Sequence, residues 1–428
     1  MPALLGIPNE ILFLIAGELD STSLCNLRLA SRNLNDVALP ALSTRCFETR
    51  YVMLQQHSLE NLIEISRHRI FGPALKNLTI CIDHLAGYPE DTRYWADDTR
   101  HLQEGGVDHG SLDRNLKGTE EEAVVDRQAY DLLVENQKFM MESGLNITYL
   151  AQVMATLPNL ETVVVDDAFQ PWGTTTLIRQ AGLLPLTNAM ESFDSIEFVE
   201  QALRAIVLAI VASNISLYEL DIAAGRLNAD GIRPSMLVFP QPVLRHIRSR
   251  PIGLTSLSLS VSTSRWIHTD SKCVSDLLEF IALFPRLQRL SLEFNPLDEH
   301  EHFPEFSRRL QLQDLRYLGI IGVQCTEGEL VALLLRHKDT LEEAYFSLVD
   351  IISGGGSWQA LLATVRDELL VPVLEMNECR SGDEAVYYRD SERDDAIHLD
   401  TFEIGWTGIQ DWTNTINDLV IGDKELVS

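Results

Sequence analysis

The sequence predicts an α/β fold, in which a three-helix module at the amino terminus is followed by an irregular solenoid of strand–helix units. Three observations predict it. Residues 7–39 carry apolar side chains at helical spacing, a short apolar strand motif recurs through the rest of the chain, and the 428 residues exceed what one hydrophobic core normally holds. Hydrophobic residues make up 45% of the chain, which argues against a disordered protein.

Negative charge is distributed unevenly along the chain. The formal net charge is −29, yet residues 1–82 hold seven acidic and seven basic residues, so the whole excess lies beyond them. Residues 83–142 hold 15 acids against 6 bases, and residues 375–428 hold 14 against 4. This shift predicts a boundary between a neutral module and an acidic body. Because phosphates and anionic lipids need a basic face, we expect neither nucleic acid nor a membrane as a partner.

The six cysteines indicate free thiols in a reducing compartment. No two lie closer than 21 residues in sequence, so neither a metal knuckle nor a redox pair is spaced correctly, and we expect no metal and no cofactor.

The first residues lack a basic segment followed by an apolar one, and the longest apolar run, Ala205 to Ala212, is too short to span a membrane. We expect a cytoplasmic or nuclear protein, or one found in both places.

The amino-terminal module reads as three short helices. Pro8 precedes an apolar stripe typical of a helix start, Asp20 or Ser21 caps a second helix, and Pro40 is expected to end a third. Three helices in about 40 residues cannot bury all their apolar side chains among themselves. The remainder is expected to face a partner or the rest of the chain.

These residues resemble a known family. The runs Ile7-Pro8-Asn9-Glu10-Ile11-Leu12 and Leu27-Arg28-Leu29-Ala30-Ser31-Arg32, with Ile15, Leu19, Leu24 and Leu34 between and after them, are similar to the fungal-type F-box domain. The similarity covers about 40 residues and departs mildly at Ile7, where leucine is commoner, and at Ala30-Ser31, where valine–cysteine is commoner.

The resemblance implies a docking role. F-box helices bind a Skp-type adaptor and, through it, a cullin-based ubiquitin ligase. The implied adaptor-binding residues are Ile7, Pro8, Ile11, Leu12, Ile15, Leu19, Leu24, Leu27 and Leu29. Burying six to nine such side chains stabilises a complex by on the order of 10 kcal/mol before entropic costs. The alternative is a helical cap that packs its apolar stripe on its own chain.

The strand motif is apolar–x–x–apolar–x–apolar. It recurs eight times, with first positions that step by 85, 57, 37, 33, 28, 26 and 30 residues. The last five steps fit one strand–loop–helix–loop unit of a leucine-rich solenoid, and the first two indicate insertions. The eight motifs are Leu75-Leu78-Ile80, Leu160-Val163-Val165, Leu217-Leu220-Ile222, Leu254-Leu257-Leu259, Leu287-Leu290-Leu292, Leu315-Leu318-Ile320, Leu341-Ala344-Phe346 and Val371-Leu374-Met376.

Helices are predicted between these strands. Thr326 and Glu329 have the spacing of a capping box, and the other candidate helices span 196–212, 274–282 and 357–370. A single doubly wound α/β domain is the alternative to the solenoid.

The predicted organisation has five parts. Residues 1–46 form the F-box-like module, 47–82 a linker helix and first repeat, and 83–150 an acidic insertion with a long loop over 87–118 and a helix. Residues 151–376 form the leucine-rich-repeat-like solenoid, and 377–428 an acidic tail that closes its open end. Trp406 and Trp412 in this tail are candidate client-binding residues, with capping as the alternative.

No arrangement of residues predicts catalysis. The densest cluster of basic residues contains Arg245, Arg248 and Arg250, and it is a candidate binding site for an acidic or phosphorylated client. The alternative is that these arginines pair with the protein's own carboxylates. The resemblance to the F-box family therefore implies a substrate receptor of a Skp–cullin–F-box ubiquitin ligase, which binds an unidentified client protein and has no catalytic residue of its own. A non-degradative interaction scaffold using the same helices remains the alternative.

Overall fold

A computed structural model describes most of the chain. The described residues are 7–85, 126–167, 177, 180–181, 186–187, 193–224, 231–250, 252–262, 272–295, 299–369, 371, 373–382, 384–389, 396–398, 402–405 and 419–421. The chain divides into two compact units, Met1–Ile215 and Ser216–Ser428. The predicted loop over 87–118, Trp406 and Trp412 lie outside the described residues.

The first unit begins with the three predicted helices, α1 (Asn9–Glu18), α2 (Ser21–Ala30) and α3 (Arg32–Phe47). The Asp20 carboxylate accepts the backbone N–H of Ser23 at 2.7 Å, and Ser31 Oγ accepts that of Leu34 at 3.2 Å, so both later helices are capped at their starts.

The expected helix end at Pro40 is wrong, because Pro40 lies inside α3. Proline removes one N–H donor, but Leu42 beyond it is buried in the module's core, and Ser43 Oγ donates to the Pro40 carbonyl at 2.7 Å. Core packing on both sides of the proline keeps the helix continuous.

A small α/β layer follows in the same unit. Strands β1, β2 and β4 pair in parallel, and the two-residue strands β3 and β5 form a separate antiparallel pair. The elements in chain order are β1 (Thr49–Met53), α4 (Gln56–Arg67), α5 (Phe71–Ala74), β2 (Asn77–Cys81), β3 (His84–Leu85), α6 (Arg127–Glu142), α7 (Leu145–Thr156), β4 (Thr162–Asp166), β5 (Leu186–Thr187) and α8 (Phe193–Ser213).

The second unit is built on a larger sheet. Strands β6, β7, β8, β9, β11 and β13 pair in parallel in that order, and β17 pairs antiparallel with β13. Its elements are β6 (Glu219–Ile222), a 3₁₀ turn (Pro234–Leu237), α9 (Gln241–Ser249), β7 (Ser256–Ser262), α10 (Cys273–Ile281), β8 (Arg289–Asn295), α11 (Phe303–Arg309), β9 (Tyr317–Ile321), β10 (Gln324–Cys325), α12 (Glu327–Arg336), β11 (Glu343–Ser347), β12 (Asp350–Ile351), α13 (Trp358–Thr364) with a π turn (Val365–Leu369), β13 (Val373–Asn377), β14 (Arg380–Ser381), β15 (Glu384–Arg389), β16 (Ala396–His398), β17 (Phe402–Gly405) and β18 (Leu419–Ile421).

The predicted strand motif is confirmed at all eight positions, since each second and third motif residue lies in a strand and every motif side chain is buried. The pairing register of the motif residues also continues from strand to strand. In the second unit Leu220, Leu257, Leu290, Leu318, Ala344 and Leu374 are direct neighbours across consecutive strands. One apolar side chain from each strand therefore stacks into a single buried row, which confirms the α/β class and a large open parallel sheet.

The first strand, β1, does not carry the apolar motif. Its register with β2 pairs Arg50 with Leu78, so the equivalent motif is Phe47-Arg50-Val52 with a charged residue at an inward position. Arg50 lies 5.0 Å over the Phe47 ring, and burial lowers its pKa to about 10. The segment expected as a linker helix thus begins with a strand of the sheet.

Predicted helices are found at α8, α10, α12 and α13. The capping box is confirmed, because Thr326 N–H donates to Glu329 Oε2 at 2.9 Å while Glu329 N–H donates to Thr326 Oγ1 at 3.3 Å. Strand β17 in the tail pairs antiparallel with β13 along its edge. No helix in the described part of the chain is long and apolar enough to cross a membrane.

Candidate protein-docking surface

The core of the amino-terminal module is complete without most of α1's apolar side chains. Leu12 and Ala16 from α1 pack with Leu24 from α2 and with four residues of α3, namely Leu34, Val37, Ala38 and Leu42. Ile7, Leu19 and Leu27 are half-buried at the edge of this cluster. Because the interior is filled by one stripe of α1, the rest of that helix faces outward.

The outward side of α1 carries the docking face, which we define as Pro8, Ile11, Leu14 and Ile15. Pro8 is exposed, and the exposed fractions of Ile11, Leu14 and Ile15 are 47%, 69% and 39%. Spacings of three and four residues place these side chains next to one another on the helix surface. Scattered exposed apolar residues are ordinary, but adjacent ones on one helix face indicate an interaction site.

The nine predicted adaptor-binding residues divide into three groups. Pro8, Ile11, Ile15 and Leu29 are exposed, and Leu29 is 80% exposed. Ile7, Leu19 and Leu27 are half-buried. Leu12 and Leu24 are buried in the module's own core, where they pack with residues of α3, so the structure corrects their assignment as side chains open to a partner.

Leu14 and Phe13 were not among the predicted residues, although both are exposed; Phe13 lies on another side of α1. The sequence does indicate that some apolar side chains of α1 are exposed. Residues 11–15 are five consecutive apolar residues, and one face of a helix can bury only two or three of such a run.

Two contacts from α3 fix the end of α1. The Arg45 guanidinium donates to the Gly17 carbonyl at 3.0 Å and also to the Leu19 carbonyl. These carbonyls belong to the last turn and the cap, where helix carbonyls lack internal partners and the helix dipole favours a cation. Arg45 therefore holds the orientation of α1 on α3.

The predicted basic cluster lies on and just after α9. Arg248 pairs with Glu279 of α10 at 3.1 Å, as the self-pairing alternative expects. Arg245 and Arg250 are exposed and have no ion-pair partner among the described residues.

A serine–histidine contact that the sequence did not indicate lies in the first unit. Ser195 Oγ and His84 Nε2 are 2.9 Å apart, His84 Nδ1 is 3.1 Å from the Ile82 carbonyl, and the ring stacks on Phe198. Both side chains are buried, and burial lowers the pKa of His84. The pair is too enclosed to meet a substrate and instead ties β3 to α8.

Among the described residues, no group of three or more histidine, cysteine or acidic side chains is arranged to hold a metal ion. No family model matches this chain, and no curated protein sequence matches it significantly. The docking face of α1 is thus the arrangement on which a functional conclusion rests.

Proposed function

We propose that the protein is the substrate-receptor subunit of a Skp–cullin–F-box ubiquitin ligase. The main support for this proposal is the docking face. Helix α1 keeps Ile11, Leu14 and Ile15 exposed to solvent, although other side chains already fill the core of the module. Fully burying an aliphatic side chain contributes about 1.5–3 kcal/mol. Covering the exposed parts of these three and of Leu29 would contribute about 5 kcal/mol before entropic costs.

In this proposal the adaptor covers the docking face, and the half-buried Ile7, Leu19 and Leu27 contribute at its edge. Leu12 and Leu24 act only by supporting the helices. The cullin is reached through the adaptor, and no residue of this chain takes part in the ubiquitin-transfer chemistry. Its contribution to rate is to hold a client close to the conjugating enzyme.

We also propose that the second unit is a leucine-rich-repeat-like solenoid. Its parallel strands follow one another in chain order, from β6 to β13, without the reversal of direction that a doubly wound sheet has at its switch point. Right-handed crossovers between strands laid down in one direction place the connecting helices on one side of the sheet. The opposite side is then the broad surface for a client.

A co-purification experiment tests the receptor role. The protein is co-expressed with a Skp-type adaptor and a cullin, as wild type and as the double variant Ile11→Asp/Ile15→Asp. The matched control is Ile352→Asp, because Ile352 is 39% exposed, as is Ile15, but lies in the other unit. The proposal expects capture of both partners by wild type and control, and capture of neither by the double variant.

Two outcomes would redirect the assignment. Capture of the adaptor without the cullin would favour the non-degradative scaffold. Failure of wild type to capture the adaptor would contradict the proposal and would leave α1 as a cap. Circular dichroism of the double variant checks that its helices remain folded.

A further inference from the structure

A second exposed apolar feature lies on α6, far from the docking face in sequence. Leu132 and Phe139 are 57% and 60% exposed, although most of the apolar side chains on this helix are sheltered. They are seven residues apart, so they point in nearly the same direction, about 20° from each other, and lie about 10.5 Å apart along the axis. Together they form one outward line of anchors.

Carboxylates alternate with these anchors. Glu135 lies three residues after Leu132 and four before Phe139, and Glu142 follows Phe139 by three, so all four share one helix face. We call Leu132, Glu135, Phe139 and Glu142 the outer stripe. Glu135 has no ion-pair partner among the described residues, and Glu142 pairs with the exposed Lys138 at 3.7 Å.

The opposite side of α6 is anchored in the first unit by buried side chains. Tyr130 and Met140 are buried, and Tyr130 packs with Met53 and Leu85 in a hydrophobic cluster. The Gln137 amide is buried and hydrogen-bonded to the backbone of Leu85 and to Gln55. The outer stripe is therefore presented by a fixed helix, which lowers the ordering cost of binding.

We propose that the outer stripe binds an amphipathic helix of a partner protein that presents apolar side chains at seven-residue spacing with lysine or arginine between them. The 3–4–3 spacing of the stripe matches the seam along which two helices pack. The apolar side chains of the stripe would pack against apolar side chains of the partner helix, and its carboxylates would pair with lysine or arginine at the positions between them.

The charges of the outer stripe favour a basic partner helix over a second copy of this chain. Two outer stripes packed on each other would bring Glu135 and Glu142 against the same residues of the other copy, and like charges that face each other in an interface weaken it. A basic partner helix has no such cost. The proposal is independent of the docking face, because the two surfaces lie on different helices.

The test uses a synthetic three-heptad helical peptide with leucine at each first heptad position and lysine at each fourth. Binding to the full chain is followed by fluorescence anisotropy, and the same peptide with glutamate in place of lysine is the comparison. We expect wild type to prefer the lysine peptide by at least about tenfold, Phe139→Ala to lose about tenfold in affinity, and Glu135→Lys to favour the glutamate peptide. Tyr218→Ala, which removes a similarly exposed aromatic ring elsewhere, should bind as wild type does.

Three results would overturn the proposal: no binding of the lysine peptide, equal binding of both peptides, or loss of binding in Tyr218→Ala as well. Sedimentation of the protein without peptide adds a fourth, since dimerisation abolished by Phe139→Ala would assign the stripe to a second copy. Because Phe139 is mostly exposed, its alanine variant should keep the wild-type thermal unfolding curve, which is measured in parallel.

Discussion

The Arg45 guanidinium donates a hydrogen bond to the carbonyl oxygen of Gly17 at 3.0 Å, across 28 residues of sequence. It thereby links the third helix of the amino-terminal module to the last turn of the first. Helix α1 has no basic residue in its own last turn and no side-chain cap at its start. Its orientation therefore depends on this contact and on the core side chains Leu12 and Ala16.

Replacing Arg45 should loosen α1. We expect Arg45→Ala to lower the free energy of unfolding by about 1 kcal/mol, because a largely exposed charge-assisted hydrogen bond contributes about that much. We also expect faster amide hydrogen exchange in α1 and weaker capture of the Skp-type adaptor. Chemical denaturation, hydrogen exchange and co-purification measure the three effects.

Two variants show whether Arg45 acts by positioning α1. Arg45→Lys keeps the positive charge and offers the three N–H donors of an ammonium in place of the planar guanidinium, so it should restore part of the adaptor capture. Arg32→Ala removes an exposed arginine at the start of α3 and should leave both exchange and capture unchanged. Unchanged exchange in α1 of Arg45→Ala would show that the contact does not hold the helix.

Gln137 fixes α6 through three hydrogen bonds. Its Oε1 accepts Leu85 N–H at 2.9 Å and Gln55 Nε2 at 2.8 Å, and its Nε2 donates to the Leu85 carbonyl at 3.0 Å. Gln137→Leu would leave the backbone groups of Leu85 buried without partners. We expect the free energy of unfolding to fall by about 2–4 kcal/mol, measured by urea denaturation.

The matched control for Gln137 is Gln128→Leu, which changes an exposed glutamine on the same helix. It should shift the denaturation midpoint little. Equal effects of the two substitutions would mean that loss of glutamine as such, and not the contacts to Leu85, destabilises the protein.

The parts of the fold that a local pattern encodes were predictable. The strand motif located eight strands because its second and third residues always enter the same buried rows, and Thr326 with Glu329 marked a helix start. Strand β1 was missed because Arg50 breaks the apolar pattern while still lying inward. The stacking of Arg50 on Phe47 is a tertiary contact that no period reveals.

The candidate site was predictable only in part, for a related reason. Residues 11–15 are all apolar, so periodicity could not tell Leu12, which enters the core, from Leu14, which faces solvent. That choice depends on which side of α1 meets α3. The outer stripe could not be predicted for the same reason: the sequence does not tell which side of α6 is buried, and the buried contacts of Gln137 with Leu85 decide it.

Asp83 should make the protein less stable as the pH rises from about 4 to 7. Burial, with smaller contributions from Asp167 and Asp166, raises the pKa of Asp83 to about 7. Between these pH values the carboxyl ionises in the unfolded chain but stays protonated in the folded one, so the unfolded state binds fewer protons and the free energy of unfolding falls. A rise of the pKa from 3.8 to about 7 corresponds to about 4 kcal/mol.

Asp83→Asn tests this pH dependence. The asparagine variant should be more stable than wild type at pH 8 by about 3–4 kcal/mol, and the difference should vanish near pH 4. The control is Asp131→Asn, an exposed carboxylate in the same unit. A wild-type-to-variant difference that is the same at both pH values would contradict the raised pKa of Asp83.

His337 should act in the opposite direction, destabilising the protein in acid. Its Nε2 accepts the Leu312 N–H at 3.2 Å and its Nδ1 lies 3.0 Å from the Leu333 carbonyl, so the buried ring is neutral with one proton on Nδ1. Burial lowers its pKa, and nearby Arg336 adds to the effect. As the pH falls below about 6.5, the unfolded chain takes up a proton that the folded chain does not, and the free energy of unfolding falls.

His337→Gln separates this titration from the loss of the ring. At pH 8 we expect the variant to be less stable than wild type by about 1–3 kcal/mol, because the buried hydrogen bonds are disturbed. Toward pH 5 the gap should narrow, since only wild type loses stability through this histidine. His246→Gln changes an exposed histidine of the same unit and should show no such narrowing. A gap for His337→Gln that stays constant between pH 8 and pH 5 would mean that His337 titrates in the folded protein as it does in the unfolded one.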